Sequence, residues 1–454
     1  MPAQARRLSL QLQMHERHIL LAFGDGLVAF AAVPAAAVVW HGVLHQAARF
    51  DWFTPEYYAT AWVLSLLLVD GYSLQIPKSR ARSLSAIAKA TPLMVAFAGV
   101  IFFALPYGIN RPVALLAVGL GALGALTFRI TAARLLLHSS FALRALVIGQ
   151  DHASAELGEA LANAQHEFNV VGAFAIHDFG QSFSSSQLDG LRSQMAETAA
   201  TEVVVSDEAA SVTGLVEACL ESGIRITPVS TLVELYQRRV RLGDVDKEWF
   251  LHLSSDAVWR RPYMLVRRLT DLFLCAVLGI PFLILLPLLA AAIKLESPGP
   301  VFLRQLRVGQ FGRPLWMVKL RSMRTDAEAE GARWATTSDP RITRVGITLR
   351  RSHLDEFCQL WNVLRGEMTL IGPRPERPEF IDQLASYLPH YRARMMVKPG
   401  LTGWAQVRQG YAANIGETAT KLEYDLYYVK NHSLALDLQI LALTMFTILG
   451  LRGR

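Results

Sequence analysis

The sequence predicts a membrane protein of mixed α and α/β class. Four N-terminal transmembrane helices lead into a Rossmann-like cytoplasmic module. A C-terminal domain with a kinked re-entrant membrane helix follows. Three observations carry this reading. Of 454 residues, 52% are hydrophobic and 18% charged, against about 25% charged in ordinary soluble domains. The apolar residues are concentrated in long runs separated by stretches of normal charge density. The Lys and Arg residues behind the net charge of +7 flank those runs, as cytoplasmic membrane flanks do. They do not form the basic stripe of a nucleic-acid-binding domain. The composition argues against a disordered chain, a wholly soluble enzyme and a transporter apolar from end to end. At about 150 residues per domain the length allows roughly three units. Cys219, Cys275 and Cys358 are far apart and form neither a disulfide framework nor a zinc spacing.

The first unit is 1–137. Its apolar stretches are Ile19–Trp40, Ala59–Leu74, Ala90–Leu105 and Val113–Phe128. A span needs about 20 residues; the first passes easily and the others are short. Asp25 interrupts the first stretch, and further spans follow, so it does not read as a secretory signal. Arg6, Arg7 and Arg17 precede the first stretch, Lys78, Arg80, Arg82 and Lys89 separate the second from the third, and Arg129 and Arg134 follow the fourth. The positive-inside rule then places the N-terminus and everything beyond residue 130 in the cytoplasm.

The second unit, 138–250, alternates apolar runs with helix-like stretches. Strands are expected at Ala145–Ile148, Val170–Ala175, Glu202–Val205 and Ile224–Pro228. Helices are expected near Ala155–Ala164 and Val212–Ser222, with a serine-rich loop at Gln181–Gln187. Such alternation implies a parallel sheet. Gly149 follows the first strand, but the second and third glycines of a dinucleotide fingerprint are missing. A scaffold or regulatory module is favoured over nucleotide binding.

The third unit, 259–454, opens on an uncharged run, Leu272–Ile293, containing Pro281 and Pro287. Arg260, Arg261, Arg267 and Arg268 precede it; Lys294, Arg304, Arg307 and Arg313 follow. Positive charge at both ends suits a kinked helix, about 268–295, that enters and leaves one membrane face, with a straight span as the alternative. Either proline removes a backbone donor, and Pro287, then Pro281, is the expected break. The tail Ser433–Leu451 is apolar and reads either as an interfacial helix or as a core helix.

Three polar clusters follow the apolar run. Lys319-Leu-Arg321-Ser-Met-Arg324 has the alternation of a strand lining an anionic site, or of interfacial charge beside headgroups. Asp355 and Glu356 follow Arg350 and Arg351; on one continuous helix Arg350 would share a surface with the two acids. A carboxylate kept ionised by cations is a nucleophile towards phosphorus, whereas an Asp-Glu pair taken alone is usually a solvated helix start. Gly372-Pro373-Arg374-Pro375-Glu376-Arg377-Pro378 is a rigid, non-helical loop that can preorganise Arg374 and Arg377 for phosphate, or is a plain turn.

The run from Met264 to about Leu451 resembles the bacterial sugar transferase family, the monotopic phosphoglycosyl transferases. KLRSM (319–323), SHLDEFCQLWNVLRGEMTLIGPRPE (352–376), KPGLTGWAQV (398–407) and EYDLYYVKN (423–431) carry the resemblance. The four-span and Rossmann-like plan is similar to that of the large members, which start exopolysaccharide or O-antigen repeat units. The resemblance implies transfer of a hexose-1-phosphate from a UDP-sugar to undecaprenyl phosphate, releasing UMP, with Mg²⁺, in a ping-pong reaction. Asp355 would be the nucleophile forming an aspartyl-phosphosugar, Glu356 its dyad partner and Arg350 their support. Arg374 would bind phosphate within the Pro373-Arg374-Pro375 loop, with Arg377 beside it. Lys319 and Arg321 match the family's basic strand, and Asp355 and Glu356 would also face the metal. The expected setting is the bacterial inner membrane, with the catalytic domain facing the cytoplasm. Membrane lipid is then a partner, nucleic acid is not, and a homo-oligomer is left open. Glucose or galactose is the expected sugar. Two alternatives stand beside this reading. A membrane-bound nucleotide-sugar dehydratase or epimerase would need a glycine-rich turn and a Tyr-x-x-x-Lys pair after residue 260, and neither occurs. A non-catalytic subunit of a polysaccharide assembly complex would have no use for the intact acidic pair.

Overall fold

The computed structural model describes residues 14–44, 54–72, 80–104, 110–136, 143–149, 168–175, 185–206, 213–255, 260–327, 339–410 and 414–449. The chain divides into two compact units, Met1–Gln237 and Arg238–Arg454.

In the first unit, helices α1 (Met14–Leu44), α2 (Thr54–Leu68), α3 (Arg80–Ala104) and α4 (Arg111–Leu136) coincide with the expected apolar stretches. α1 packs on α2 and α4, and α3 packs on the same two helices. Small residues permit the approach: Ala29, Ala32, Ala36 and Ala125 are buried, Gly24 lies against the Phe128 ring, and Gly124 lies against Val28. By length and composition, Ile19–Val43, Ser83–Val100 and Arg111–Ala132 are able to cross a membrane. α2 has 15 residues, short of the span expected at Ala59–Leu74; residues 73–79 lie outside the described part.

Strands β1 (Leu143–Gly149), β2 (Phe168–Ala175), β3 (Glu202–Val205) and β4 (Arg225–Pro228) form one parallel sheet in the order β2-β1-β3-β4. The expected strands are all present. Helices cover both faces, so its central strands are apolar on both sides. Helices α5 (Ser185–Glu197) and α6 (Thr213–Glu221) meet Leu146, Ile148 and Val203, while α7 (Val229–Gln237) meets Ala145, Val147 and Val204. α5 begins inside the stretch expected as a serine-rich loop. Leu188, Leu191 and Met195 recur at helical spacing, and serine suits a helix start. The helix expected near Ala155–Ala164 lies outside the described residues.

The second unit begins at Arg238, ahead of the boundary at 250–259 expected from sequence. Val240, Val245, and Trp249 and Leu253 of α8 (Lys247–Ser255) enter one core with Ile381, Leu384, Leu422 and Leu426. The apolar residues of this short segment are too widely spaced to declare which domain they complete. α9 (Arg260–Glu296) continues through Pro281 and Pro287; neither proline ends it. Each removes a single N–H donor, and the surrounding turns keep theirs. Its apolar window Pro262–Glu296 is 11% buried, against 33% for α1 and α4, so most of its apolar surface faces outward.

A hairpin of β5 (Phe302–Val308) and β6 (Pro314–Leu320) follows. Next come α10 (Arg344–Arg351), a 3₁₀ turn (Leu354–Gln359) and α11 (Leu360–Leu364). β7 (Thr369–Ile371) pairs in parallel with β8 (Gly400–Thr402). Helices α12 (Pro378–Tyr387), α13 (Trp404–Arg408), α14 (Ile415–Asn431) and α15 (Leu434–Leu449) complete the unit. α15 is a core helix at Leu436 and Ile440, which pack with Leu370, Ile371 and Trp404.

Candidate active site

The hairpin register opposes Leu303 to Lys319, Gln305 to Met317 and Arg307 to Leu315. Opposed residues share a face, and so do alternate residues along a strand. Lys319 therefore emerges from the face that Leu315 and Met317 bury. β6 lies against the 3₁₀ turn, and the charges of Asp355 and Glu356 act on Lys319. Arg321, expected beside Lys319 in the same site, is placed elsewhere. Its guanidinium donates to the carbonyls of Ser297 (2.7 Å) and Pro298 (2.8 Å), closing the carboxyl end of α9.

α10 starts at a well-capped N-terminus. Thr343 Oγ1 accepts from Gly346 N at 3.0 Å, and the Glu296 carboxylate accepts from Arg344 N at 2.6 Å and Val345 N at 2.9 Å. Gly346 lies so close to the Ser322 carbonyl that a side chain there would collide with it. One continuous helix carrying Arg350, Asp355 and Glu356, on which they would share a surface, does not form. Ser352 closes α10, and His353 adopts a left-handed φ of 58°. That residue type tolerates such a φ when it ends a helix. The chain then restarts as the 3₁₀ turn, so the break itself re-aims Asp355 and Glu356.

Arg374 donates from both terminal nitrogens to Glu356, at 2.9 Å to Oε2 and also to Oε1. Arg350 Nε donates to Ser322 Oγ at 3.0 Å. Asp355 is 7% exposed. Among the described residues its carboxylate takes part in no hydrogen bond or ion pair, although the charges of Lys319, Arg350 and Arg374 all act on it.

The electrostatics follow from this asymmetry. Burial, and then the charge of Glu356, push the Asp355 carboxyl up to about 7, against the pull of Lys319, Arg350 and Arg374. Burial would also raise Glu356, but Arg374's charge and hydrogen bonds bring it down to about 2. Burial, reinforced by Arg307, lowers the Lys319 ammonium to about 8. The site thus holds three cations around two adjacent acids, one saturated and one not.

The Gly372–Pro378 loop is braced from behind. Gly372 N donates to Thr402 O at 2.8 Å, and Gly400 N donates to Pro373 O at 3.0 Å. Gly372, Gly400 and Gly403 pack backbone against backbone where no Cβ fits, which accounts for the glycines of the 398–407 segment. Pro375 O accepts from Arg307 Nη1 at 3.2 Å. Arg377, expected to bind phosphate, lies 3.7 Å from Glu379 and over the Phe380 ring.

Several residues of this brace carry little or no signal in the sequence. Arg394 donates to Arg374 O at 2.9 Å and to Asp425 at 2.9 and 2.6 Å. Glu376 accepts from Lys421 at 3.0 Å and lies 3.7 Å from Arg307. The only signal for Asp425 was its place inside the 423–431 segment; Arg394 carried none.

Among the described residues no group of three or more His, Cys, Asp or Glu side chains is arranged to hold a metal. The donor set is one unengaged carboxylate, Asp355, beside Glu356, whose oxygens accept from Arg374. Mg²⁺ is usually held by one or two carboxylates together with substrate phosphates. This set therefore fits an ion that arrives with a diphosphate.

Residues 262–450 match the family described as bacterial sugar transferase. An Aeromonas hydrophila UDP-N-acetylgalactosamine-undecaprenyl-phosphate N-acetylgalactosaminephosphotransferase is 48% identical over 232 residues, 51% of this chain and 54% of that protein. A UDP-glucose:undecaprenyl-phosphate glucose-1-phosphate transferase of Xanthomonas campestris pv. campestris is 40% identical over 221 residues, 48% of this chain and 45% of that protein. The exopolysaccharide production protein PSS of Rhizobium leguminosarum bv. phaseoli is 38% identical over 192 residues, 41% of this chain and 92% of that protein. The chain spans about half the length of the first two.

Proposed function

The chain belongs to the bacterial sugar transferase family, and from that premise we propose that it transfers a sugar-1-phosphate from a UDP-sugar to undecaprenyl phosphate. The observation that carries the reading is the buried Asp355 carboxylate, left without a partner inside a set of cations. In the first half-reaction an Asp355 oxygen attacks the sugar-bearing phosphorus. The bond from that phosphorus to the bridging oxygen breaks, and UMP leaves with the electron pair. In the second, an oxygen of undecaprenyl phosphate attacks the same phosphorus and frees the carboxylate. Lys319, Arg350 and Arg374 hold the phosphoryl oxygens, whose charge the site cannot leave unpaired once water is excluded. Glu356 fixes Arg374 in place through its paired oxygens. Asp355, with Glu356 beside it, would hold Mg²⁺ on the diphosphate, where the ion supplies charge neutralisation.

The architecture suits this chemistry. The acceptor phosphate lies at a membrane surface, while the donor is soluble. α9, read as a re-entrant helix of the inner membrane, keeps the catalytic unit at that surface on the cytoplasmic side. The basic residues around it draw in two anionic substrates. The parallel-sheet module is read as a Rossmann-like scaffold without nucleotide. The test is to incubate membranes containing the protein with undecaprenyl phosphate and UDP-glucose, UDP-galactose or UDP-N-acetylgalactosamine. UMP release with at least one donor is expected. Without acceptor, labelled sugar phosphate should remain on wild-type protein and not on Asp355→Asn. No release with any donor would favour the non-catalytic subunit.

A further inference from the structure

α9 carries a long apolar window, Pro262–Glu296, yet its N-terminal turns hold a buried polar cluster. Arg267 is 5% exposed, Asp271 3% and Thr369 5%. Arg267 Nη2 donates to Thr369 Oγ1 at 2.8 Å and also to the Ile371 carbonyl. Asp271 Oδ1 accepts from Leu370 N at 3.1 Å. Every residue of β7 is thereby tied to one turn of α9. The neighbouring Arg268 donates to the carbonyls of Val363 (2.6 Å) and Leu364 (2.7 Å), at the carboxyl end of α11. Asp437 stands behind Arg267 at 3.9 Å, held by the Tyr263 hydroxyl at 2.7 Å and the Tyr428 hydroxyl at 2.8 Å.

The position of these bonds in the chain is informative. The segment from Glu356 to its partner Arg374 passes through α11, then β7, then Gly372-Pro373. α9 grips that segment at both intermediate elements. A helix that only had to stick to a strand would use apolar contacts, since a buried guanidinium is unfavourable unless fully paired. A residue that only marked membrane topology would leave its charge at the headgroups, whereas Arg267 is turned inward.

We propose that Arg267 and Asp271 are positioning residues: they fix β7 on the membrane helix, and so set where Arg374 meets the Asp355–Glu356 turn. This rests on the transferase reading for its kinetic consequence, though not for its structural one. The membrane helix is then the frame of the catalytic site as well as its anchor.

The experiment uses the full chain in membranes and in detergent. Arg267→Ala and Asp271→Ala should lower kcat about 100-fold, the order expected when a reacting group is misplaced by an ångström, with a smaller change in the donor KM. Asp271→Asn keeps an oxygen for Leu370 N and should stay close to wild type. The acid limb of the pH profile should move up in Arg267→Ala, because Arg374's charge withdraws from Asp355; a purely structural loss would scale the profile without moving it. Hydrogen exchange over residues 368–376 should accelerate in Arg267→Ala and Asp271→Ala and not in Asp271→Asn. If Arg267→Ala does not accumulate, Thr369→Val, which keeps the side-chain shape, takes its place, with kcat expected about tenfold down, one good hydrogen bond. Unchanged exchange and kcat in the alanine variants, or equal losses in Asp271→Asn and Asp271→Ala, would overturn the proposal. A wild-type protein without turnover would overturn the transferase reading alone, and the exchange data would still decide this one.

Discussion

Asp25 and Asp355 are both buried carboxylates next to arginine, and they are treated in opposite ways. Asp25, 0% exposed on α1, accepts from Arg129 Nε at 3.1 and 3.2 Å and Nη2 at 2.7 Å. The remaining Arg129 nitrogen donates to Gly71 O at 2.6 Å, and the guanidinium lies 5.0 Å from the Tyr72 ring centre. That pair joins α1 to α4 and the end of α2, and leaves little for a ligand to bind. Asp355 sits among cations and is bonded to none of them, because Arg374 is spent on Glu356. The Asp25 carboxylate is saturated, whereas the Asp355 carboxylate is surrounded by cations and left open.

The comparison is broken first at Asp355. Asp355→Asn keeps the volume and removes the proposed nucleophile, so transfer should fall more than about 1,000-fold, read as UMP release. Stability in detergent should hold or rise, since a charge without a partner has been removed. Near-wild-type turnover would sink the assignment. At Asp25 the expected effects are reversed. Arg129→Met strands a buried carboxylate and should cost about 3–5 kcal/mol of stability, read by thermal unfolding, with turnover per folded molecule retained. Asp25→Leu combined with Arg129→Met should recover most of that loss. Next in size is Arg374→Lys, which keeps the charge and loses the fork that grips Glu356. A drop in kcat/KM of about 100-fold is expected, comparable to losing one preorganised donor.

Much of this was legible in the sequence. The apolar stretches marked the N-terminal helices because long runs almost free of charge are rare outside membrane spans. The four strands were legible because buried parallel strands are continuous apolar runs. The helix at Ser185–Glu197 was hidden by its serines, whose turn chemistry masked a weak helical period. The candidate site was legible as segments and illegible as an arrangement. Asp355, Glu356, Arg350, Lys319 and Arg374 come together around the 3₁₀ turn, while Arg321, two residues from Lys319, closes the end of α9 instead. Alternation along a strand cannot foresee that the strand ends at Leu320 and the chain turns away. The left-handed His353 was equally invisible, as no glycine advertised it. Arg394 and Asp425 lie 31 residues apart, and no local pattern joins them.

The smallest effects are shifts along the pH axis, and they sharpen the comparison most. On the proposed mechanism Asp355 must be ionised to attack, and its carboxyl is pushed up to about 7, so turnover should rise with pH through that value. On the same mechanism Lys319 must be charged to hold phosphoryl oxygen, and its ammonium is lowered to about 8, so turnover should fall again above it. The result is a narrow bell in kcat/KM, reporting the free enzyme. Lys319→Arg keeps the cation at every accessible pH and should erase the alkaline limb while leaving the acid limb in place. Glu356→Gln should do the converse. It removes the like charge beside Asp355 and releases Arg374's charge to act on it, and both changes favour the carboxylate. The acid limb should move down by about one pH unit, the scale of a neighbouring charge, beneath a lower maximum. A limb that stays near 7 would mean that Asp355 does not feel its neighbour, and that its openness reflects burial alone.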